Sequence, residues 1–174
     1  VESEEHAKAR GARVYAELIG AAVSSDAHHI TAPEPEGLGA TRALRSALRG
    51  AGVDPSQVSH VNAHATSTPK GDAPEYLALK AVLGDHLDDV LVSATKSQTG
   101  HLLGASGAIE SILTVLAVHH GTAPVTINLE HQDPEIPLNV VTGEPGRLPA
   151  GDRVAVNNSF GFGGHNAVAV FRGV

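Results

Sequence analysis

The sequence changes from strand periodicity to helix periodicity across one short polar turn, and this restricts the chain to folds that alternate strands with helices. Residues 57–61 include alternating apolar positions, which predicts a short strand. We expect a helix to begin at Asp72, an N-cap residue with Glu75 three positions later and Pro74 in the first turn. His64 then follows the strand, where open α/β sheets bind ligands and where an imidazole can titrate near neutral pH. A structural histidine in a hydrogen-bonded loop is the alternative.

The rest of the chain repeats this alternation. A period-two pattern predicts a strand from Val14 to Ser24, and further strands are predicted at 90–94, an apolar segment, and at 153–158 and 167–172. Helical patterns cover 39–50, the segment from Asp72 to Gly84, and a long segment from 104 to Gly121. We expect the first strand to be buried on both faces and strand 90–94 to be central in the sheet. The buried stripe of the long helix is expected to comprise Ile109, Ile112, Leu113, Leu116 and Ala117. Strands alternating with helices, closed by an antiparallel hairpin, predict an α/β fold with a mixed sheet.

Charge and composition exclude several classes of function. The net charge is −7 and no block of Lys or Arg occurs, which argues against nucleic acid or anionic membranes as partners. No apolar run reaches the roughly 18 residues of a spanning helix, and the acidic start is not a signal peptide, so a cytoplasmic chain is expected. With no cysteine, the chain has no disulfide, no thiolate zinc site and no cysteine nucleophile. By size it is one domain. Its charged residues 2–10 lead straight into a strand, so we expect a piece of a larger protein.

Three polar loops follow strands and carry the residues suited to chemistry. The first contains His64, the second Lys96 and His101, and the third Phe162. In a parallel sheet the first two loops open on one edge, and the hairpin can reach over it. Two neutral imidazoles could each donate a hydrogen bond to a developing enolate or oxyanion, while Lys96 adds positive potential. No metal site is predicted, because metal-ligand spacing is lacking among the remaining candidate histidines, His28, His29, His119, His120 and His165.

Three long motifs in this order resemble those of the β-ketoacyl-acyl-carrier-protein synthases, and the elongating KAS II type fits best. Residues 64–72 resemble the first histidine motif, residues 95–104 the lysine and second-histidine motif, and residues 157–166 the terminal gating loop. The resemblance covers essentially the whole chain. It implies a thiolase-like fold of two similar halves, of which residues 1–174 are the C-terminal half. The family's nucleophilic cysteine belongs to the N-terminal half, which this chain lacks.

The resemblance also implies a reaction, the decarboxylative Claisen condensation of malonyl-acyl-carrier protein with an enzyme-bound acyl thioester in fatty-acid elongation. It implies no cofactor. The implied partners are acyl carrier protein, malonyl and acyl thioesters, the missing N-terminal half and, in the intact enzyme, a second copy. The implied catalytic residues are His64, His101, Lys96 and Glu75, with Glu75 pairing Lys96. The backbone N–H of Phe162 would complete an oxyanion hole, and its ring would gate the acyl pocket within the loop that contains Gly161, Gly163 and Gly164. Thr66 and Thr68 would hold the pantetheine arm.

Several alternatives stay open at this point. Glu75 could be only a capping-box residue, Thr66 and Thr68 could only satisfy the turn backbone, and the glycines could be ordinary hairpin residues. Ala65 stands where the family usually has glycine, so its methyl would crowd the turn if the position needs a positive φ. A non-catalytic partner subunit of the chain-length-factor type, or a polyketide ketosynthase, is the alternative function. In either case we expect no condensation activity from this chain alone.

Overall fold

The computed structural model describes all 174 residues. The helices are α1 (Glu4–Ala9), α2 (Leu38–Ala51), α3 (Pro69–Leu83), α4 (Lys96–Thr99) and α5 (Ser106–His120). The strands are β1 (Ala16–Ser25), β2 (Val58–Asn62), β3 (Leu91–Ser93), β4 (Thr122–Ala123), β5 (Gly146–Arg147), β6 (Val154–Gly161) and β7 (His165–Gly173). Short 3₁₀ turns occupy Pro55–Gln57, Gly84–Asp89 and Leu103–Ala105. No helix combines the length and the hydropathy that a membrane-spanning segment requires.

Five strands form one mixed sheet in the order β1-β7-β6-β2-β3. β2 is parallel to β3 and β6, and β7 is antiparallel to both of its neighbours, β6 and β1. The predicted mixed α/β sheet and its closing hairpin are therefore confirmed. Because β2, β3 and β6 run in the same direction, their carboxyl ends meet at one edge.

The apolar core lies between the sheet and the layer formed by α2 and α3. Leu44 and Leu48 of α2 and Leu79 of α3 pack against valines of β2, β6 and β7. Gly20 permits the close approach of α2 to β1, since a Cβ there would lie 2.6 Å from the carbonyl oxygen of Ala47. Helix α2, predicted over 39–50, thus buries Leu44, Ala47 and Leu48, and this layer fixes one side of the sheet.

The predicted strand positions in the sheet need two corrections. β1 is an edge strand with alternating exposed positions, not a strand buried on both faces, and its Val23 is 82% exposed. β3 is also last in the sheet order rather than central. It is buried nevertheless, because Val92 exchanges backbone hydrogen bonds with Asn139 and Val141 of the following loop region. That irregular segment covers the outer side of β3, which period-two patterning could not predict.

Helix α3 begins earlier than the capping-box pattern indicates. Thr68, not Asp72, is the N-cap: its hydroxyl accepts a hydrogen bond from the N–H of Gly71 at 3.1 Å, and Pro69 follows at the first helical position. Glu75 consequently lies inside α3 and not in its first turn, so its carboxylate does not form a capping box.

The burial of α5 is the reverse of the predicted stripe. Its buried positions include Glu110 and Thr114, whereas Ile112 is 58% exposed and the other large apolar residues of the stripe are half-buried. Of the predicted stripe only Ala117 is buried. The buried face of α5 is therefore polar over most of its length and apolar only near its end, at Ala117 and Val118, while Ile112 points away from this chain's own core. Exposed apolar side chains of this kind are expected on a helix that a further layer of protein covers.

Candidate functional site

The two histidines predicted to converge do so at the carboxyl edge of the sheet. The rings of His64 and His101 lie 5.7 Å apart, centroid to centroid, in an edge-to-face arrangement. The ring of Phe160, on β6, lies 5.6 Å from that of His64. The parallel register of β2, β3 and β6 produces this meeting, because each strand delivers its following loop to the same edge.

Glu75 fixes the backbone of the loop that carries His64. Its carboxylate, 3% exposed, accepts hydrogen bonds from the N–H groups of His64 and Ala65, both at 2.8 Å, and from the Nδ2 of Asn158 at 2.9 Å. Burial raises the pKa of Glu75, and these donors oppose that rise. Glu75 is therefore a positioning residue for His64. The predicted pairing of Glu75 with Lys96 is wrong.

Lys96 pairs instead with Glu110, a residue that the sequence analysis missed. Lys96 Nζ lies 2.5 Å from Glu110 Oε1, and both side chains are buried, with 5% and 1% exposure. Burial raises the pKa of Glu110, while the Lys96 ammonium lowers it. Glu110 was detectable in principle, because a lone carboxylate within the apolar pattern of α5 needs a partner if that face is buried. The amphipathic reading of α5 placed it on the wrong face.

The contacts of His101 determine which of its nitrogens carries the proton. Its Nδ1 accepts the N–H of Leu103 at 3.1 Å and lies 3.1 Å from the hydroxyl of Ser106. That hydroxyl itself accepts the N–H of Leu102, so its own hydrogen is free to reach Nδ1. A backbone N–H can only donate, so the neutral ring holds its proton on Nε2. His101 thus presents an N–H donor away from its own loop.

His64 is held in its neutral form. Burial, the charge of Lys96 and the neighbouring His101 together lower the pKa of His64 to about 3. An imidazole that stays neutral at physiological pH can donate one hydrogen bond without carrying charge. Both rings are therefore suited to stabilise an oxygen on which negative charge develops.

The loop after His64 is strained. Ala65 and Ser67 both have positive φ, +33° and +58°, in a region that glycine adopts more easily. The concern raised by alanine at position 65 is thus justified. The hydroxyl oxygens of Thr66 and Thr68 lie 3.0 Å apart. Thr68 also caps α3, which agrees with the alternative that this hydroxyl satisfies the turn backbone.

The β6–β7 hairpin closes through a three-residue turn, Phe162 to Gly164. Gly164 has a φ of +71°, and a Cβ there would lie 2.5 Å from the Cβ of Asp26, so only glycine fits. Its carbonyl accepts the N–H of Asp26 at 2.8 Å. The Nδ1 of His165, a residue without a predicted role, lies 2.8 Å from the carbonyl oxygen of Phe162 and can donate to it. The ring of Phe162 is 81% exposed, and Phe160 is the aromatic residue that contacts His64.

A cavity of about 350 Å³ opens beside these loops. Its polar lining includes Lys96, His101, Glu75 and Thr66, and its apolar lining comes from β3 and the segment 127–140. Of the predicted site residues, the structure brings His64, His101 and Lys96 together and places Glu75 behind His64. It leaves Phe162 and the exposed Thr68 on the surface.

Comparison with known proteins gives the family of this chain. Residues 15–130 match the model described as beta-ketoacyl synthase, C-terminal domain. The chain is 51% identical over 172 residues to 3-oxoacyl-acyl-carrier-protein synthase 2 of Synechocystis, and 48% identical over 179 residues to the mitochondrial 3-oxoacyl-acyl-carrier-protein synthase of Arabidopsis thaliana. These alignments cover 99% and 100% of the chain but only 41% and 38% of the relatives.

Solved structures agree. A type II polyketide acyl-carrier protein in complex with its ketosynthase matches with a TM-score of 0.94 and 38% identity, over 99% of this chain and 42% of that one. A beta-ketoacyl synthase from Burkholderia phymatum matches with a TM-score of 0.90 and 38% identity, over 99% and 41%. The ishigamide ketosynthase/chain length factor matches with a TM-score of 0.92 and 40% identity, over 99% and 41%. The thiolase-like fold expected from the motifs is therefore confirmed.

Proposed function

Because the chain belongs to the β-ketoacyl synthase family, whose C-terminal domain it matches, we propose that it supplies the decarboxylation half of a 3-oxoacyl-acyl-carrier-protein synthase of the KAS II type. The observation that carries this proposal is the convergence of the His64 and His101 rings, 5.7 Å apart, at the sheet edge where Lys96 is also buried.

The proposed reaction begins with the malonyl thioester. Its carbonyl oxygen accepts hydrogen bonds from one N–H of His64 and from the Nε2–H of His101. The bond between the α-carbon and the carboxylate breaks, carbon dioxide leaves, and the electron pair forms an enolate whose oxygen the two imidazoles stabilise. The carbanion then attacks an acyl thioester on a cysteine, which leaves as thiolate. The new carbon–carbon bond gives the 3-oxoacyl product on the carrier protein.

Electrostatics support this division of roles. A neutral His64 carries one N–H that can donate a hydrogen bond, and its lowered pKa keeps it neutral at working pH. The Lys96–Glu110 pair adds no net charge, and of its two members only Lys96 lines the cavity, so the developing enolate meets the two imidazole N–H dipoles and the ammonium. Glu75 holds the His64 loop through hydrogen bonds from the N–H groups of His64 and Ala65.

The remaining site residues have roles in binding under this proposal. Thr66 and Thr68 offer hydroxyls to the pantetheine arm of the carrier protein. The N–H of Phe162 contributes to the oxyanion hole of the condensation step, and the turn with Gly161, Gly163 and Gly164 lets the Phe162 ring act as the gate. The exposed position of that ring is compatible with a gate that closes on a partner half.

A second half of the enzyme is part of the proposal. The chain spans about two fifths of the length of the curated relatives it matches, and it contains no cysteine to carry the acyl group. Its surface also exposes large apolar side chains, among them Ile112 on α5 and Val23 on β1. We propose that an N-terminal half covers this surface, brings the nucleophile, and forms the homodimer typical of the intact enzyme.

A partner subunit without catalysis is the second candidate. Its support is that one of the similar structures is the ishigamide ketosynthase/chain length factor. The intact arrangement of His64, His101 and Lys96 favours the catalytic role, because a non-catalytic subunit needs none of these residues.

Reconstitution tests the proposal. The chain alone, given acyl- and malonyl-carrier protein, should give no elongated product, and the chain assembled with the cysteine-bearing half should give 3-oxoacyl product. The matched control is the assembly with His64→Ala. Product from the isolated chain would overturn the need for a second half, and an assembly that binds carrier protein but makes no product would favour the partner subunit.

A further inference from the structure

Asn62, the last residue of β2, is fully buried and uses both ends of its amide. Its Nδ2 donates to the carbonyl oxygen of Glu110 at 3.1 Å. Its Oδ1 accepts from the hydroxyl of Thr95 at 3.0 Å. Asn62 therefore bridges three segments of the chain that are far apart in sequence.

Those three segments carry the site. His64 follows Asn62 by two residues, Lys96 follows Thr95 directly, and Glu110 itself supplies the carbonyl. The backbone adds to this connection, because the N–H of Ala63 donates to the carbonyl of Ser93 at 2.9 Å. A displacement at Asn62 would thus be transmitted to His64 and to both members of the ion pair.

Only an amide satisfies both neighbours. The Thr95 hydroxyl donates and needs an acceptor at position 62, whereas the Glu110 carbonyl accepts and needs a donor there. A carboxylate at position 62 has no donor, so its oxygen would repel the Glu110 carbonyl. A leucine of similar volume would leave the Thr95 hydroxyl, which is fully buried, without its acceptor. The carbonyl of Glu110 keeps a second side-chain donor in either case, the hydroxyl of Thr114 at 2.8 Å.

We propose that Asn62 is a positioning residue of the decarboxylation site, which holds Lys96 and Glu110 at their distance from His64 by joining β2 to the start of α4 and to α5. This inference rests on the proposed function. It adds a residue that contacts no charged atom of the ion pair and acts through both of its hydrogen bonds.

The test compares Asn62→Leu with Thr114→Val in the enzyme assembled from this chain and its cysteine-bearing half. Thr114→Val is the matched control, because it removes a buried hydrogen bond to the same Glu110 carbonyl without touching Thr95. For Asn62→Leu we expect kcat for carbon dioxide release from malonyl-carrier protein to fall at least tenfold, which corresponds to about 1.4 kcal/mol in activation free energy. KM should stay within twofold. Thr114→Val should leave both within twofold.

A second readout does not depend on activity. The ¹⁵N resonance of the Lys96 ammonium should shift, and its hydrogens should exchange faster, in Asn62→Leu but not in Thr114→Val. If Asn62→Leu does not fold, Thr95→Val breaks the same hydrogen bond from its other side. Equal effects of Asn62→Leu and Thr114→Val on kcat and on the ammonium would overturn the inference. A shifted ammonium in an assembly whose wild type releases no carbon dioxide would support the positioning by Asn62 and overturn the proposed function instead.

Discussion

The assignment of Glu110, rather than Glu75, as the partner of Lys96 makes a quantitative prediction. At 2.5 Å and an effective dielectric constant near 20, the attraction between Lys96 and Glu110 is about 7 kcal/mol before the cost of burying both charges is subtracted. Removing one member leaves the other buried and unpaired, which costs about 3–5 kcal/mol. We therefore expect Lys96→Met and Glu110→Gln each to lower the free energy of unfolding by that amount. The double variant should lose less than the sum by about 2–3 kcal/mol.

Urea unfolding of the four proteins in this cycle, followed by circular dichroism, measures the coupling. The matched control is a second cycle of Lys96→Met with Glu75→Gln, because Glu75 is also a buried carboxylate but contacts backbone N–H groups and Asn158. Its coupling energy should stay below about 1 kcal/mol. A larger coupling for Glu75 than for Glu110 would refute the assignment.

Three further predictions concern the strained loop, the hairpin turn and a buried histidine. Ala65→Gly relieves the strain of a φ of +33°, so the free energy of unfolding should stay unchanged or rise by up to about 1 kcal/mol. A loss above about 1 kcal/mol in urea unfolding would contradict the presence of strain at this position. Gly164→Ala should lower the free energy of unfolding by about 2 kcal/mol or more, because its Cβ clashes with Asp26. The Cβ of Gly161→Ala meets nothing nearer than 3.9 Å, so that variant should lose less than about 1 kcal/mol. Equal losses in the two variants would count against the turn geometry. Burial lowers the pKa of His60 from 6.5 to about 4, so the stability that neutral His60 contributes is complete above pH 6.5 and is lost as pH falls toward 4. Relative to His60→Gln, the free energy of unfolding of the wild type should fall by about 2 kcal/mol between pH 7 and 5. Parallel stability curves for the two proteins would refute this.

The sequence predicted the elements better than their surroundings. The strand before His64, the following helix and the terminal hairpin are visible as local periodicities, and local periodicity survives into the structure. The start of α3 was misplaced because two capping signals overlap within five residues, and Thr68 followed by Pro69 prevails over Asp72. Each choice is sterically reasonable on its own, so the sequence alone does not decide between them.

The errors at α5 and Lys96 share one physical cause. Helical periodicity locates an apolar stripe but does not say whether the protein's own core or another layer covers it. Here the core side of α5 is the polar one, with Glu110 neutralising Lys96, and the apolar residue Ile112 faces outward. Motif position alone therefore indicates Glu75 as the partner of Lys96. The carboxylate of Glu75 instead accepts hydrogen bonds from the backbone of the His64 loop.

The convergence of His64 and His101 was predicted correctly because it depends on strand direction, not on side-chain detail. Parallel strands deliver their following loops to one edge whatever the loops contain. The aromatic residue that contacts His64 could not be predicted in the same way. Phe160 and Phe162 lie on the same hairpin, and Phe160 contacts His64 because it lies within β6, which ends at Gly161, whereas Phe162 lies in the turn.

The rate of carbon dioxide release from malonyl-carrier protein tests the central role of the two imidazoles most directly. In the assembled enzyme, His64→Ala and His101→Ala should each lower that rate by about 10²–10³-fold, the effect of removing one hydrogen-bond donor from a developing oxyanion. Carrier-protein binding should be unchanged in both. Release rates within threefold of the wild type in either variant would contradict the account.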